Sequence, residues 1–275
     1  MNPSSTTHPF NKVSSSKSYP IANYVTCEWF SEAYKSYLAT ITKIIEPRYF
    51  HEAVKDPKWR EAMSKEIEAL ELNNTWTLEE LPIEKKPIDC KWVYKVKYNS
   101  DGSVKRYKAW LVIRGDQQIE WFDYGKTFTP VAKMTSVRCF LAVAVATAKG
   151  WDLFQMDVHN ALLHGDLDEE VYMIFPLGYW ASQPNKGCWL RKSLYGLKQS
   201  PHQWFAKLSS KLMEYVLIRS YADYSLFTYH KGGKYMALMV YVDDLVFMGN
   251  DADTCRKFKE YLNNWFHIKD LGPLK

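Results

Sequence analysis

Apolar residues recur at helical spacing from Asp56 onward. Trp59, Met63, Ile67 and Leu70 follow at intervals of four, four and three, which puts them on one face of a helix. Asp56 supplies an N-cap and Pro57 suits the first turn, so the predicted helix starts there and ends near Asn73-Asn74. The period then changes to two. In Lys91–Tyr98, Trp92, Tyr94, Val96 and Tyr98 face one way, and Lys91, Lys95 and Lys97 face the other, which predicts a strand. Asn99–Gly102 reads as a turn and Ser103–Ile113 as the returning strand. Val137–Ala148 is Ala/Val-rich with a helical pattern, closed by Gly150. Trp151–Val158 predicts a short strand ending beside an acid, Asp157. Pro201–Ile218 carries Trp204, Leu208, Leu212 and Tyr215 on one helical face, and Asp253–Phe266 predicts a further amphipathic helix. Strands and helices mix without regular βαβ alternation, so the expected class is α+β.

The run Met236–Gly249 is strand-like and apolar except for two adjacent carboxylates, Asp243 and Asp244. Unpaired charge is costly in such a run. Two like charges ~4 Å apart add roughly 4 kcal/mol at a surface-like effective dielectric. A tight hairpin that lifts both acids to a sheet edge, where a divalent cation binds them, offsets that cost. An ordinary Asp-Asp turn is the other reading of the same residues. If Asp157 ends a neighbouring strand, three carboxylates meet. With no His/Cys ligand set beside them, they suit hard, oxygen-loving ions such as Mg²⁺ or Mn²⁺. His159 and His164 read as packing or solvent-facing residues rather than ligands.

Composition narrows the class. The chain has 275 residues, 47% hydrophobic and 24% charged, as ordinary globular proteins do. Its net charge of +5 permits an anionic partner without requiring one. The charge is uneven: residues 85–114 hold nine Lys/Arg against two acids. That cluster reads either as a solvated strand face or as a basic hairpin that touches phosphates. The five cysteines are far apart, which gives no support to a zinc site or a disulfide framework. Residues 1–20 are rich in Ser, Thr and Pro, which predicts disorder and no signal peptide; residues 21–55 read as a linker. No apolar run is long enough to span a bilayer, so the expected setting is intracellular.

Ordered motifs now carry a resemblance. Gln155-Met-Asp157-Val-His-Asn-Ala-Leu-Leu-His-Gly165 resembles the first catalytic motif of copia-type (Pseudoviridae) LTR-retrotransposon reverse transcriptases, and Tyr241-Val-Asp-Asp244 resembles their Y-V-D-D box. Ser193-Leu-Tyr-Gly-Leu-Lys-Gln-Ser-Pro201 is similar to the motif between them. Trp59–Met63, Asn73–Trp76, Lys91–Tyr94–Lys95, Phe128–Ala132 and Lys269–Gly272 agree as well. The resemblance implies the fingers and palm of a right-hand polymerase over residues 56–275, with an antiparallel palm sheet and packed helices. It also implies RNA-directed DNA synthesis with two Mg²⁺ or Mn²⁺ ions on dNTPs and an RNA or DNA template-primer. Asp157, Asp243 and Asp244 would be the metal carboxylates. Tyr241 would lie beside the primer terminus, with Lys91, Lys95 and Lys97 along primer or template. Lys108 and Arg114 would approach the triphosphate, Val158, Ala161 and Leu162 the bed under the nucleotide, and Gly196 and Gln199 the segment packing against it. The rest of a Pol polyprotein would be a partner, and a cytoplasmic virus-like particle, or the nucleus, the location.

Three departures stand out. Trp110 replaces the arginine of the family's Lys-Ala-Arg-Leu-Val string, and an indole offers no fork for phosphate oxygens. Leu162 replaces a bulky aromatic that crowds the sugar 2′ position. The chain stops at Lys275, where the family continues into its primer-holding segment and thumb, so little polymerase activity is expected of this stretch by itself. A catalytically inactive nucleic-acid-binding remnant is therefore the alternative.

Overall fold

The structure is a computed structural model that describes residues 30–32, 34–35, 44–146, 151–179 and 185–274. The expected disorder of residues 1–20 and the helix stop at Gly150 lie outside these residues. The chain divides into two units, residues 1–45 with 98–105 and residues 46–97 with 106–275. In the first, the predicted turn is present: the Asn99 amide donates to Ser103 O at 2.9 Å, and the Asp101 carboxylate accepts from the Ser103 amide at 2.8 Å. The elements that follow lie in the second unit, except Tyr98, Val104 and Lys105 at the ribbon's end, which fall in the first.

Part of the segment expected as linker is folded: helix α1 (Phe50–Ala53) buries Ala53. Helix α2 (Pro57–Leu72) starts and stops where its signals lie, with Asp56 accepting from the Lys58 amide at 2.8 Å and Asn73 as C-cap. Trp59, Met63 and Leu70 are buried. Their face packs on a two-stranded ribbon of β2 (Cys90–Tyr98) and β3 (Val104–Ile113), where the Trp59 ring meets Tyr94 and Tyr107 edge-on at 5.4 and 4.7 Å. Period two holds on β2, with Trp92, Tyr94 and Val96 buried and Lys91, Lys95 and Lys97 exposed. A small antiparallel sheet joins β1 (Trp76–Glu80), β6 (Lys186–Leu190) and β5 (Tyr172–Met173) in that order.

The main sheet is antiparallel and has six strands. They are β4 (Asp152–Val158), β7 (Ile218–Arg219), β8 (Leu226–Lys231), β9 (Lys234–Tyr241), β10 (Asp244–Gly249) and β11 (Ile268–Pro273), in the order β11-β4-β10-β9-β8-β7. Both faces of its centre are covered, which is why Met236–Gly249 reads as a continuous apolar run rather than an alternating one. Met236, Leu238, Val240, Leu245 and Phe247 pack with Trp204, Leu208 and Leu212 of α4 (Ser200–Glu214) and with Phe258 and Leu262 of α5 (Ala252–Trp265). Ala237, Met239 and Met248 point the other way, onto Phe140 and Ala144 of α3 (Met134–Ala146).

One predicted boundary is corrected. The helix expected over Pro201–Ile218 ends at Glu214, because Val216 takes a left-handed conformation (φ 74°) and the Leu217 amide turns back to Leu212 O at 3.1 Å. Ile218 then starts β7. The mixed helices and antiparallel sheets are those of the α+β class.

Candidate active site

Strand register sets the acids together. β4 and β10 are neighbours, and Asp157 lies directly opposite Asp244. Directly opposed residues point to the same face with Cβ atoms about 4.5–5.5 Å apart. Asp244 also pairs with Tyr241 across a two-residue hairpin whose loop is Val242-Asp243. The Asp243 carbonyl accepts from the Val158 amide at 2.9 Å, which ties the loop to the residue following Asp157. Among the described residues the one side-chain donor to these three carboxylates is distant, Gln155 Nε2 at 3.5 Å from Asp244 Oδ1.

Asp243 is exposed at the apex, and Asp157 and Asp244 are half-buried. Partial desolvation against the sheet pushes the Asp243 carboxyl above the ordinary range, and the like charges of Asp244 and Asp157 add to it. No Lys or Arg among the described residues forms an ion pair with any of the three. Lys269 of β11 sits opposite Asp157 on the other flank of β4, a cation whose approach only the sheet order discloses. Among the described residues no three His, Cys, Asp or Glu side chains close on a common point tightly enough to form a ready-made metal centre. The acids share one end of one sheet and repel one another, with Lys269 opposite Asp157 and Lys108 within its field.

A pocket of about 300 Å³ opens beside them, lined among others by Glu66, Arg106, Lys108, His159 and Asn160. The half-buried Lys108 ammonium lies 4.5 Å from the Trp110 ring centroid, and Lys97 covers the same ring at 5.7 Å. Burial, and then Arg106, lowers the Lys108 pKa, while Glu66 and Asp157 oppose that shift. Tyr195 lies within the field of Glu66, Asp243 and Asp157, and burial above all pushes its phenol up to about 12.

Against this geometry the sequence pattern of the "Reverse transcriptase (RNA-dependent DNA polymerase)" family matches residues 73–275, most of the chain. The chain belongs to that family. Its relatives are of copia type. It is similar, at 43% identity over 83% of its length, to the retrovirus-related Pol polyprotein from transposon RE1 of Arabidopsis thaliana. It is 40% identical over 83% to that of transposon TNT 1-94 of Nicotiana tabacum, and 29% identical over 78% to a truncated Ty1-A Gag-Pol polyprotein of Saccharomyces cerevisiae. The chain spans only 16–17% of the length of these three relatives. A crystal structure of prototype foamy virus protease-reverse transcriptase aligns over 76% of this chain and 22% of that one, at 16% identity and a TM-score of 0.38, too remote for comparing sites.

The other residues singled out in this reverse transcriptase chain fall in several places. Tyr241 is exposed at the end of β9. Val158 and Ala161 are buried, and the Val158 amide is already committed to Asp243. Leu162 packs half-buried against the main core. Gln199 is fully buried, donating to Asp123 O and accepting from Gln118 Nε2, both at 3.0 Å. Arg114 pairs with Asp116 at 2.7 Å on the surface, and Lys95 with Glu46 at 3.1 Å; among the described residues Lys91 and Lys97 carry no ion pair. His164 packs against Trp204 and Phe266, at 5.8 and 5.4 Å, as a core histidine does.

Glu66 went unremarked in the sequence because a Glu on a helix face is ordinarily solvated. Here its Oε1 is buried without a partner, and burial pushes the carboxyl up to about 6 from 4.5. A raised carboxyl pKa disfavours the folded state once the group ionises. The cost is absent below 4.5, grows as pH rises, and is complete above about 6. Glu66→Gln is expected to be more stable than the parent by up to about 2 kcal/mol at pH 7.5, the gain fading toward pH 4. Urea unfolding at both pH values checks this, and a pH-independent difference would contradict it.

Proposed function

We propose that this chain carries the polymerising centre of a copia-type reverse transcriptase, with the six-stranded sheet as palm and the β2-β3 ribbon as fingers. The reaction is nucleotidyl transfer from dNTPs to a primer on an RNA or DNA template. The observation that carries this reading is the register that opposes Asp157 to Asp244, with Asp243 on the adjoining turn.

The donor set fits hard divalent cations: three carboxylates without an ion pair among the described residues, one of them raised in pKa by partial desolvation and then by its neighbours' charge. Asp157, Asp243 and Asp244 would hold Mg²⁺ or Mn²⁺, two ions in this reading, which supply charge stabilisation at the attacking and leaving oxygens. The chain's own part is positioning. Lys108 and Arg106 line the neighbouring pocket and favour the triphosphate there. Tyr241 offers an exposed ring beside the acids for the primer end. The primer 3′ oxygen bonds to the α-phosphorus as the bond to pyrophosphate breaks. The remainder of a Pol polyprotein is the expected partner.

Primer extension on poly(rA)/oligo(dT) with Mg²⁺ or Mn²⁺, by this chain carried within a full-length Pol polyprotein, tests the reading. Template-dependent addition of dTMP supports it. Retained binding with no addition under either metal would favour the second reading, a nucleic-acid-binding remnant, to which the Arg114–Asp116 pair and the lysine-capped Trp110 lend support.

The ribbon has its own expected result. If Lys91 and Lys97 each meet a phosphate, Lys91→Gln with Lys97→Gln lowers the slope of log K against log salt by about 2 on duplex. An unchanged slope, measured by fluorescence anisotropy, removes the ribbon from the interface.

A further inference from the structure

The Val242-Asp243 loop is under backbone strain. In this two-residue hairpin Val242 alone has positive φ, at 56°. A loop with positive φ only at its first position is the kind that glycine fills. A β-branched residue is among the least tolerant there, at a cost of roughly 1–3 kcal/mol. Such strain persists only where surrounding contacts over-determine it.

Two contacts do so. The Asp243 carbonyl is held by the Val158 amide at 2.9 Å. The Val242 carbonyl accepts from the indole Nε1–H of Trp204 at 2.7 Å. The two peptide groups flanking the Asp243 backbone are thus each pinned, one by β4 and one by α4. The Trp204 ring is itself fixed. It is 1% exposed, meets Phe266 edge-on at 5.0 Å, and lies 5.8 Å from His164, which closes the turn following Asp157. The indole thereby joins the segments bearing Asp157 and Asp243.

We infer that Trp204 is a positioning residue, whose indole N–H holds the strained Val242-Asp243 turn so that Asp243 stays aimed beside Asp157 and Asp244 for a divalent cation. This rests on the metal-site reading above. The hydrogen bond acts on the carboxylate through the backbone, so its loss acts on cation affinity more than on the fold.

Mn²⁺ binding by the unmodified chain, followed by electron paramagnetic resonance, tests this with Asp243→Asn as the blank. Trp204→Phe keeps the ring and removes the donor; a weakening of about tenfold or more is expected, as for other groups that orient metal ligands. Val242→Gly in the Trp204→Phe background lets the turn hold its conformation without the clamp, and is expected to restore affinity to within about threefold, since glycine meets no penalty at positive φ. A purely structural tryptophan would show no such rescue. Binding by Trp204→Phe equal to the parent's, or no rescue, overturns the inference. Absence of Asp243-dependent Mn²⁺ binding in the parent overturns the metal-site reading itself, and the inference with it. Should Trp204→Phe fail to fold, hydrogen exchange of the indole proton in the parent decides: protection like that of core amides supports the clamp, and rapid exchange refutes it.

Discussion

Within a full-length Pol polyprotein, Asp243→Asn is expected to abolish nucleotide addition while leaving this chain at least as stable as its parent. The substitution keeps the size of the side chain and removes a charge that Asp244 and Asp157 oppose, so folding loses nothing and repulsion falls. If Asp243 is a metal ligand as proposed, catalysis loses an electrostatic element where charge develops, and such a loss costs at least about 10²–10³ in rate. Asp157→Asn and Asp244→Asn should behave alike, because the three act as a unit and their effects do not add. Single-turnover incorporation alongside thermal unfolding separates the two quantities. Parallel loss of activity and of stability would mean that the acids hold the fold instead. Activity within about tenfold of the parent would remove them from the chemistry.

Gly196→Ala is expected to be the most destabilising small substitution near the site. Gly196 has φ 95°, and a Cβ there would run onto the Ile113 carbonyl oxygen and within 2.9 Å of Val112 Cγ1. Neither backbone can yield easily, since the Ile113 amide donates to Tyr195 O at 2.7 Å and fixes the crossing of β3 with this loop. Left-handed strain of about 1–2 kcal/mol adds to overpacking of about 1–3 kcal/mol, for a loss of roughly 2–5 kcal/mol. In a chain this size that lowers the melting temperature by roughly 10 °C. Chemical denaturation checks it, and a loss under about 1 kcal/mol would show that the crossing relaxes. The reason for glycine at 196 is thus close backbone approach, whatever the loop binds.

The acid hairpin was legible because its signal is local: an apolar run interrupted by two carboxylates has few physical solutions, and β9 and β10 adopt the tightest of them. The ribbon was legible for the same reason, its alternation being nearly perfect from Trp92 to Tyr98. What the sequence concealed depends on residues far apart in the chain. Trp204 reads as one more apolar residue on a helix stripe, and its ring is core; its indole N–H finds a carbonyl 38 positions away. Lys269 faces Asp157 only because β11 returns to the free edge of β4. Gln199 sits in a motif that invites a ligand role, yet its amide is used up by Gln118 and Asp123. β5 and β7 are two residues long and carry no period to read. Trp110, which stands out for lacking a guanidinium, lies under the ammonium groups of Lys97 and Lys108, neighbours that the string itself does not show.

Asp157, Asp243 and Asp244 are proposed to form one divalent-cation site. Fe²⁺-directed backbone cleavage tests it most directly: Fe²⁺ replaces Mg²⁺, and ascorbate with peroxide generates radicals that cut the chain beside the bound ion. The account predicts cuts near Asp157 and near Val242–Asp244 in the same preparation, both suppressed by excess Mg²⁺ and both lost in Asp157→Asn. Cleavage at one segment alone, or at both but insensitive to Asp157→Asn, would contradict it.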